Sequence, residues 1–164
     1  MTLSEKVFKV LCDQVNAELY SSYIYLSMSS WFDSTGYSGF AKWMRAQADE
    51  EREHAMKIYD YILERNGRVI LAAIPAPKSE WSSVKEVFAD TLAHEQKVSA
   101  MINNIADVSF SEKDYATVEF MNWFLKEQVE EEASVGAIVD KIEMIGESKN
   151  SMYLLDRDLG KRVG

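Results

Sequence analysis

The chain has 164 residues, 47% of them apolar, enough for one domain with a packed core over residues 1–164. Its 18 basic and 27 acidic side chains leave a net charge of −9, which disfavours nucleic acid and anionic membrane as partners and attracts cations. No stretch approaches the roughly 20 apolar residues of a membrane span, the opening Met1-Thr2-Leu3-Ser4-Glu5-Lys6 does not read as a secretory leader, and the lone Cys12, read as a half-buried packing residue, excludes an internal disulfide and fits a reducing cytoplasm.

The only prolines, Pro75 and Pro77, lie in one segment, and the rest of the chain reads as helix. A first helix is expected from about Ser4 to Asp33, opened by a Thr2/Glu5 capping box and ended by Gly36 and Gly39. A second runs from about Ser38 to Arg65 and stops at Asn66-Gly67, a good left-handed cap. Residues 67–82 carry no helical pattern; fully extended they cover roughly 50 Å. A third helix begins at Ser83, with Glu86 completing a capping box, and runs to about Val108. A fourth begins near Ser111, with Asp114 three residues on, and ends before Gly146; a short fifth spans about Glu147 to Leu159.

The four long helices are of similar length, about 42 to 50 Å each at 1.5 Å per residue. Short links make the first pair and the last pair antiparallel hairpins. The long link equals one bundle length, so the second and third helices run parallel. The extended crossover packs on the outside through Val69, Ile70, Leu71, Ile74 and Trp81. The expected fold is all-α: a four-helix bundle with one long crossover and a short fifth helix.

Each long helix shows an apolar stripe at steps of three and four residues, and each stripe is interrupted near its midpoint by an acidic residue. The interruptions are Glu18, Glu51, Glu95 and Glu131, with His54 one turn beyond Glu51. Buried carboxylates are rare unless they are paired or hold a metal. Any one of the four could instead tilt to solvent or pair with a lysine. Four at one level, plus an imidazole, describe a cage for two metal ions. Two divalent cations neutralise four carboxylates, and oxygen-rich ligation with one histidine suits iron or manganese better than structural zinc.

A second acidic group flanks the first: Glu50 beside Glu51, and Glu127 and Glu130 beside Glu131 in the run Glu127-Gln-Val-Glu-Glu-Glu132. Glu132 reads as solvated surface. Glu50, Glu127 and Glu130 are either solvated surface or a third, more open metal position. Tyr25, two turns from Glu18, needs a hydroxyl partner if buried; it serves hydrogen bonding or one-electron chemistry beside metals, or aromatic packing alone. Trp123 reads as packing. His94 lies off its stripe and is expected to be partly exposed.

The segments Asn16-Ala-Glu-Leu-Tyr-Ser-Ser-Tyr-Ile-Tyr25, Asp49-Glu-Glu-Arg-Glu-His54 and Glu127-Gln-Val-Glu-Glu-Glu132 resemble the non-haem bacterial and archaeal ferritins. The resemblance extends over essentially the whole chain, including Glu95, the proline-containing crossover and the last helix near Leu154-Leu-Asp-Arg-Asp158. It implies a ferritin-like bundle with a di-iron ferroxidase centre. One iron would be held by Glu18, Glu51 and His54, the second by Glu51 as a bridge with Glu95 and Glu131, and Gln128 would sit close by. A third iron would take Glu50, Glu127, Glu130 and Glu131. The family oxidises Fe(II) with dioxygen or peroxide and stores ferric oxyhydroxide inside a shell of twenty-four subunits, whose fifth helices meet at fourfold axes.

Two departures qualify what the resemblance implies. A symmetric di-iron bundle carries a second Glu-x-x-His, whereas this chain has Gln128-x-x-Glu131, which replaces an imidazole and a carboxylate. Weaker ligation of the second iron favours iron in transit over a permanent cofactor. Bacterioferritins place a haem-ligating Met directly after the bridging glutamate; here that position is Arg52, so no haem is expected. The competing reading is a soluble di-iron peroxidase or oxygenase on the same bundle, without storage. The chain lacks the CxxC segment of an attached electron-transfer domain.

Overall fold

Helix ends in this chain fall where the backbone finds partners for its free N–H and C=O groups. The computed structural model describes residues 1–162. Among them are α1 (Glu5–Ser34), α2 (Ser38–Glu64), α3 (Val84–Ser111), α4 (Tyr115–Ile145) and α5 (Lys149–Leu159), with no strand. The four long helices have 30, 27, 28 and 31 residues, so each is about 40 to 47 Å long.

The first three helices end alike. Gly36, Asn66 and Lys113 take left-handed backbone angles. The next residue in each case bonds back across the turn: Tyr37 N–H to Phe32 C=O at 3.0 Å, Gly67 to Ile62 at 2.9 Å and Asp114 to Ser109 at 2.8 Å. These bonds close Schellman motifs and satisfy otherwise free carbonyls. Asn66 thus takes the role expected of it, and Lys113 takes one that its side chain did not advertise.

Two starts differ from expectation. Ser4, not Thr2, caps α1, its hydroxyl accepting from Val7 N–H at 3.3 Å. At the other hairpin α3 continues past Val108 to Ser111, and Asp114 itself caps α4, accepting from Thr117 N–H at 3.1 Å. Asp114 has a second task. Arg65, from the end of α2, forks onto both its oxygens at 3.0 and 3.1 Å and also reaches the Thr117 hydroxyl and Met1 C=O. Burial pushes the Asp114 carboxyl up, but the Arg65 and Thr117 hydrogen bonds outweigh it and hold the group below its ordinary value.

Helix α2 has no capping side chain of its own; one of its first free N–H groups is served from α5. Buried Asp156 accepts from Phe40 N–H at 2.7 Å. This contact demands a bare backbone at Gly39, because a Cβ there would lie 1.8 Å from Asp156 C=O. Changing Gly39 to Ala is expected to push α5 off the bundle, expose Leu155 and remove the cap. The cost is about 2–3 kcal/mol. Hydrogen exchange should show deprotection confined to residues 149–159 and the start of α2; unchanged protection there would refute the docking role.

Residues 67–82 lie outside α1 as an extended crossover, held by polar clamps. Asn16 reads the peptide backbone from both sides, accepting from Ala72 N–H at 3.1 Å and donating to Ala73 C=O at 3.4 Å. Ser27 donates to Lys78 C=O at 2.7 Å. Trp81 is buried, but Ile70 and Leu71 are about half exposed. The expected apolar packing of this segment is therefore realised only in part within one chain. No described helix is long and apolar enough to cross a membrane.

The buried apolar side chains among the described residues form two groups. One surrounds Phe32, Phe40, Phe88 and Ile142; the other surrounds Leu11, Ile58, Ile102 and Phe124 at the opposite end. Cys12 belongs to the second and is buried, more deeply than expected. Between the two groups the bundle has a polar waist.

Candidate metal centre

The waist is built by one device used repeatedly. A glutamine one turn before a glutamate donates its amide to that carboxylate: Gln14 to Glu18 on α1 and Gln47 to Glu51 on α2, both at 3.1 Å. Gln47 also reaches across to Glu131 on α4 at 2.7 Å. Gln128 on α4 donates to Glu95 on α3 at 3.2 Å, and the Tyr25 hydroxyl on α1 donates to the other oxygen of Glu95. The four glutamates of the four stripes meet there, with Glu51 and Glu95 0% and Glu18 1% exposed.

Their oxygens form overlapping sets. Glu18, Glu51 and His54 offer ligand atoms within 4.8 Å of one another, and so do Glu51, Glu95 and Glu131; Glu51 is common to both. A further set joins His54, Glu127 and Glu131. Glu18 Oε2 and Glu51 Oε2 are buried with no hydrogen-bond partner among the described residues. Buried polar atoms normally find one. Glu51 Oε2 lies 3.3 Å from His54 Nδ1, the corner where Glu18, Glu51 and His54 converge.

The electrostatics agree. Burial first, then the neighbouring Glu51, drives the Glu18 carboxyl well above its ordinary range. Burial does the same to Glu51, with Glu95 and Glu131 adding to it. Burial also raises Glu95, against hydrogen bonds from Tyr25 and Gln128 that oppose the rise. Glu131 is pushed up to about 7 by burial and by Glu95. The Tyr25 phenol rises through burial and the adjacent Glu95, so it stays protonated as a donor. All four carboxyls are thus raised by burial and by one another, and two cations among them would favour their ionised forms.

The second acidic group is also drawn together. Glu50, Glu127, Glu130 and Glu131 line a cavity of about 260 Å³ between α2 and α4, open to one side. Glu127 Oε1 lies 3.9 Å from His54 Nε2. Glu132 points elsewhere and accepts from Ser99 at 2.6 Å, half-buried and not freely solvated as expected. Trp123 is 39% exposed, its edge against His54 and the Lys57 ammonium 3.5 Å above its ring, so it covers the imidazole more than it fills the core. His94 is partly exposed, as expected; Nε2 lies 2.8 Å from the Ser21 hydroxyl. Burial, aided by Lys97, lowers the imidazole to about 4.

Gln14 and Gln47 are amide interruptions of the stripes one turn before the glutamates, visible in the spacing but given no role by it. Arg162 reaches the cavity from beyond α5, and nothing in its local sequence signals that.

A bundle with one long crossover whose four helices aim carboxylates at a common waist defines the ferritin-like class of helical proteins. Residues 8–145 match the ferritin-like domain family. Over 160 residues the chain is 44% identical to the bacterial non-heme ferritin of Staphylococcus saprophyticus, covering 98% of this chain and 96% of that one. It is 42% identical over 158 residues to a probable bacterial non-heme ferritin-like protein of Haemophilus influenzae, covering 96% of each. The open-pore ferritin of the hyperthermophilic archaeon Archaeoglobus fulgidus superimposes with a TM-score of 0.98 at 47% identity, over 99% of this chain and 100% of that one. The chain belongs to the ferritin family.

Proposed function

We propose that this protein stores and detoxifies iron in the cytoplasm. It takes up Fe(II), oxidises it with dioxygen or hydrogen peroxide at a paired site inside each subunit, and deposits ferric oxyhydroxide inside a cage of twenty-four copies. The observation that carries the reading is the pair of buried ligand sets sharing Glu51, with unpartnered oxygens on Glu18 and Glu51, in a chain of the ferritin family.

Iron here is the substrate. One Fe(II) binds Glu18, Glu51 and His54, and the other binds Glu51, Glu95 and Glu131. Tyr25 and Gln128 hold Glu95, and Gln47 holds Glu51 and Glu131. As each ion binds, carboxyl protons leave. Each Fe(II) gives one electron to the same dioxygen, which takes two protons and departs as hydrogen peroxide. Hydrolysis of the two Fe(III) ions to oxyhydroxide then releases six protons, a net four for the pair. The neutral Gln128 in place of a second charged ligand weakens retention of the product, and Glu50, Glu127 and Glu130 offer the next position on its way out.

Assembly is supported by the apolar surface left open on α1 and the crossover. Tyr23 is 50% and Leu26 44% exposed on α1, and Leu71 is 59% exposed on the segment clamped beside it. A patch of this kind marks a protein contact.

The test is aerobic Fe(II) loading of the purified protein. A particle near twenty-four times 18.8 kDa that gains an electron-dense iron core is the expected result. Iron that stays at two ions per chain after repeated turnover, with no core, would refute storage.

A further inference from the structure

Arg162 lies on the turn that follows α5, and its guanidinium reaches back into the cavity between α2 and α4. Nη2 is 2.9 Å from Glu50 Oε1, Nη1 is 3.0 Å from Gln47 Oε1 and 3.4 Å from Trp43 C=O, and the head lies 4.7 Å from the centre of the Trp43 ring. Its side chain is 20% exposed and that of Glu50 35%, so the pair is partly shielded from water.

Two consequences follow from donor chemistry. A guanidinium has only donors, so the Gln47 amide must turn its carbonyl oxygen towards Arg162. Its NH₂ then faces the other way, where it meets Glu51 Oε1 and Glu131 Oε2. Arg162 therefore sets the polarity of the one amide that holds a carboxylate on each side of the waist. Arg162 also supplies the positive charge among Glu50, Glu127, Glu130 and Glu131, where a third metal ion would lie.

We infer that Arg162 is a positioning residue of the iron site. It occupies Glu50 as a built-in cation that a third metal ion must displace, and through Gln47 it presets Glu51 and Glu131 for the first two. The inference rests on the three-ion reading above and deepens it. The device orders the filling: the paired site is prepared while the third is occupied by the chain's own charge, so the third position accepts iron only against competition.

Calorimetric titration of the assembled, metal-free protein with Zn(II), which does not turn over, tests this. Wild type is expected to bind three ions per chain, with the third lost in Glu130→Ala. In Arg162→Met the third ion should bind about five- to tenfold more tightly, the size of a half-buried ion pair removed, and the first two more weakly. Arg162→Lys keeps the charge near Glu50 but cannot also fork onto Gln47. It should keep the third ion weak while the first two still lose affinity, a split that simple loss of packing does not produce. Circular dichroism checks that both variants keep the bundle. A third-ion affinity equal in wild type and Arg162→Met would overturn the inference and leave the three-ion reading standing. Two ions in wild type, with Glu130→Ala unchanged, would overturn both.

Discussion

Replacing Glu51 by alanine is expected to abolish both irons of the paired site and to slow Fe(II) oxidation more than about 100-fold, towards the protein-free rate. The geometry supplies the reason. Glu51 alone belongs to both the set with Glu18 and His54 and the set with Glu95 and Glu131. Removing Glu18 or Glu95 strips one set; removing Glu51 strips both. The loss should not come from unfolding. In the metal-free protein Glu51 is a fully buried carboxyl crowded by Glu95 and Glu131, and an isosteric amide keeps its volume while removing a charge that burial opposes. The isosteric Glu51→Gln variant should therefore melt no lower than wild type without metal, yet gain little on adding metal. Glu53→Ala, on the exposed side of the same helix, serves as the control and should oxidise iron at the wild-type rate. Stopped-flow oxidation at full speed in Glu51→Ala would rule out the shared ligand.

The second large effect is on pH. Burial and Glu95 push the Glu131 carboxyl up to about 7, and Glu18, Glu51 and Glu95 are all raised. Metal binding must expel these protons. Below pH 7 each proton held by Glu131 weakens binding about tenfold per pH unit, and the other raised carboxyls add to that slope. Affinity for Fe(II) or Zn(II) should thus fall by at least about tenfold between pH 8 and pH 6. The stability of the empty protein should run the other way. A carboxyl whose folded value is raised contributes stability that is fully present below its unfolded value, near 4.3, and lost as the pH climbs through its folded value, near 7 for Glu131. Without metal the melting temperature should decline from pH 5 to pH 8; with saturating metal that decline should vanish. Calorimetry in buffers of different ionisation enthalpy counts the protons released. A release near zero at pH 6.5 would mean the waist carboxylates are already ionised when empty.

The architecture could be read from spacing because amphipathic stripes, caps and one proline-bearing gap are local signals. Glu18, Glu51, Glu95 and Glu131 stood out because each is a charge where the period demands an apolar group, and helices of matched length bring their midpoints to one level. Where the reading slipped, competition between nearby candidates was the cause. Ser4 and Thr2 are both capping residues, and only the docking of the helix start selects between them. The Schellman turn at Lys113 needs φ > 0, which lysine does not announce. The crossover's Ile70 and Leu71 looked like inward packing, yet the inward contacts fell to Asn16 and Ser27, whose hydroxyl and amide satisfy a backbone that has no strand partner. Arg162 was invisible for a different reason. It arrives 112 positions after Glu50 (162 less 50), carried by the docking of α5 over the start of α2, and no local period encodes a contact of that range.

The two oily groups at opposite ends of the bundle leave the middle of the protein without grease of its own. There the rods are joined by the Gln47 and Gln128 amides and the Tyr25 phenol, each donating to a carboxylate that a metal pair would share. Cargo would then also be mortar: ions held by several helices would add a second set of ties at the centre to the hydrogen bonds already there. Loading with metal is therefore expected to slow hydrogen exchange at the waist more than at either end.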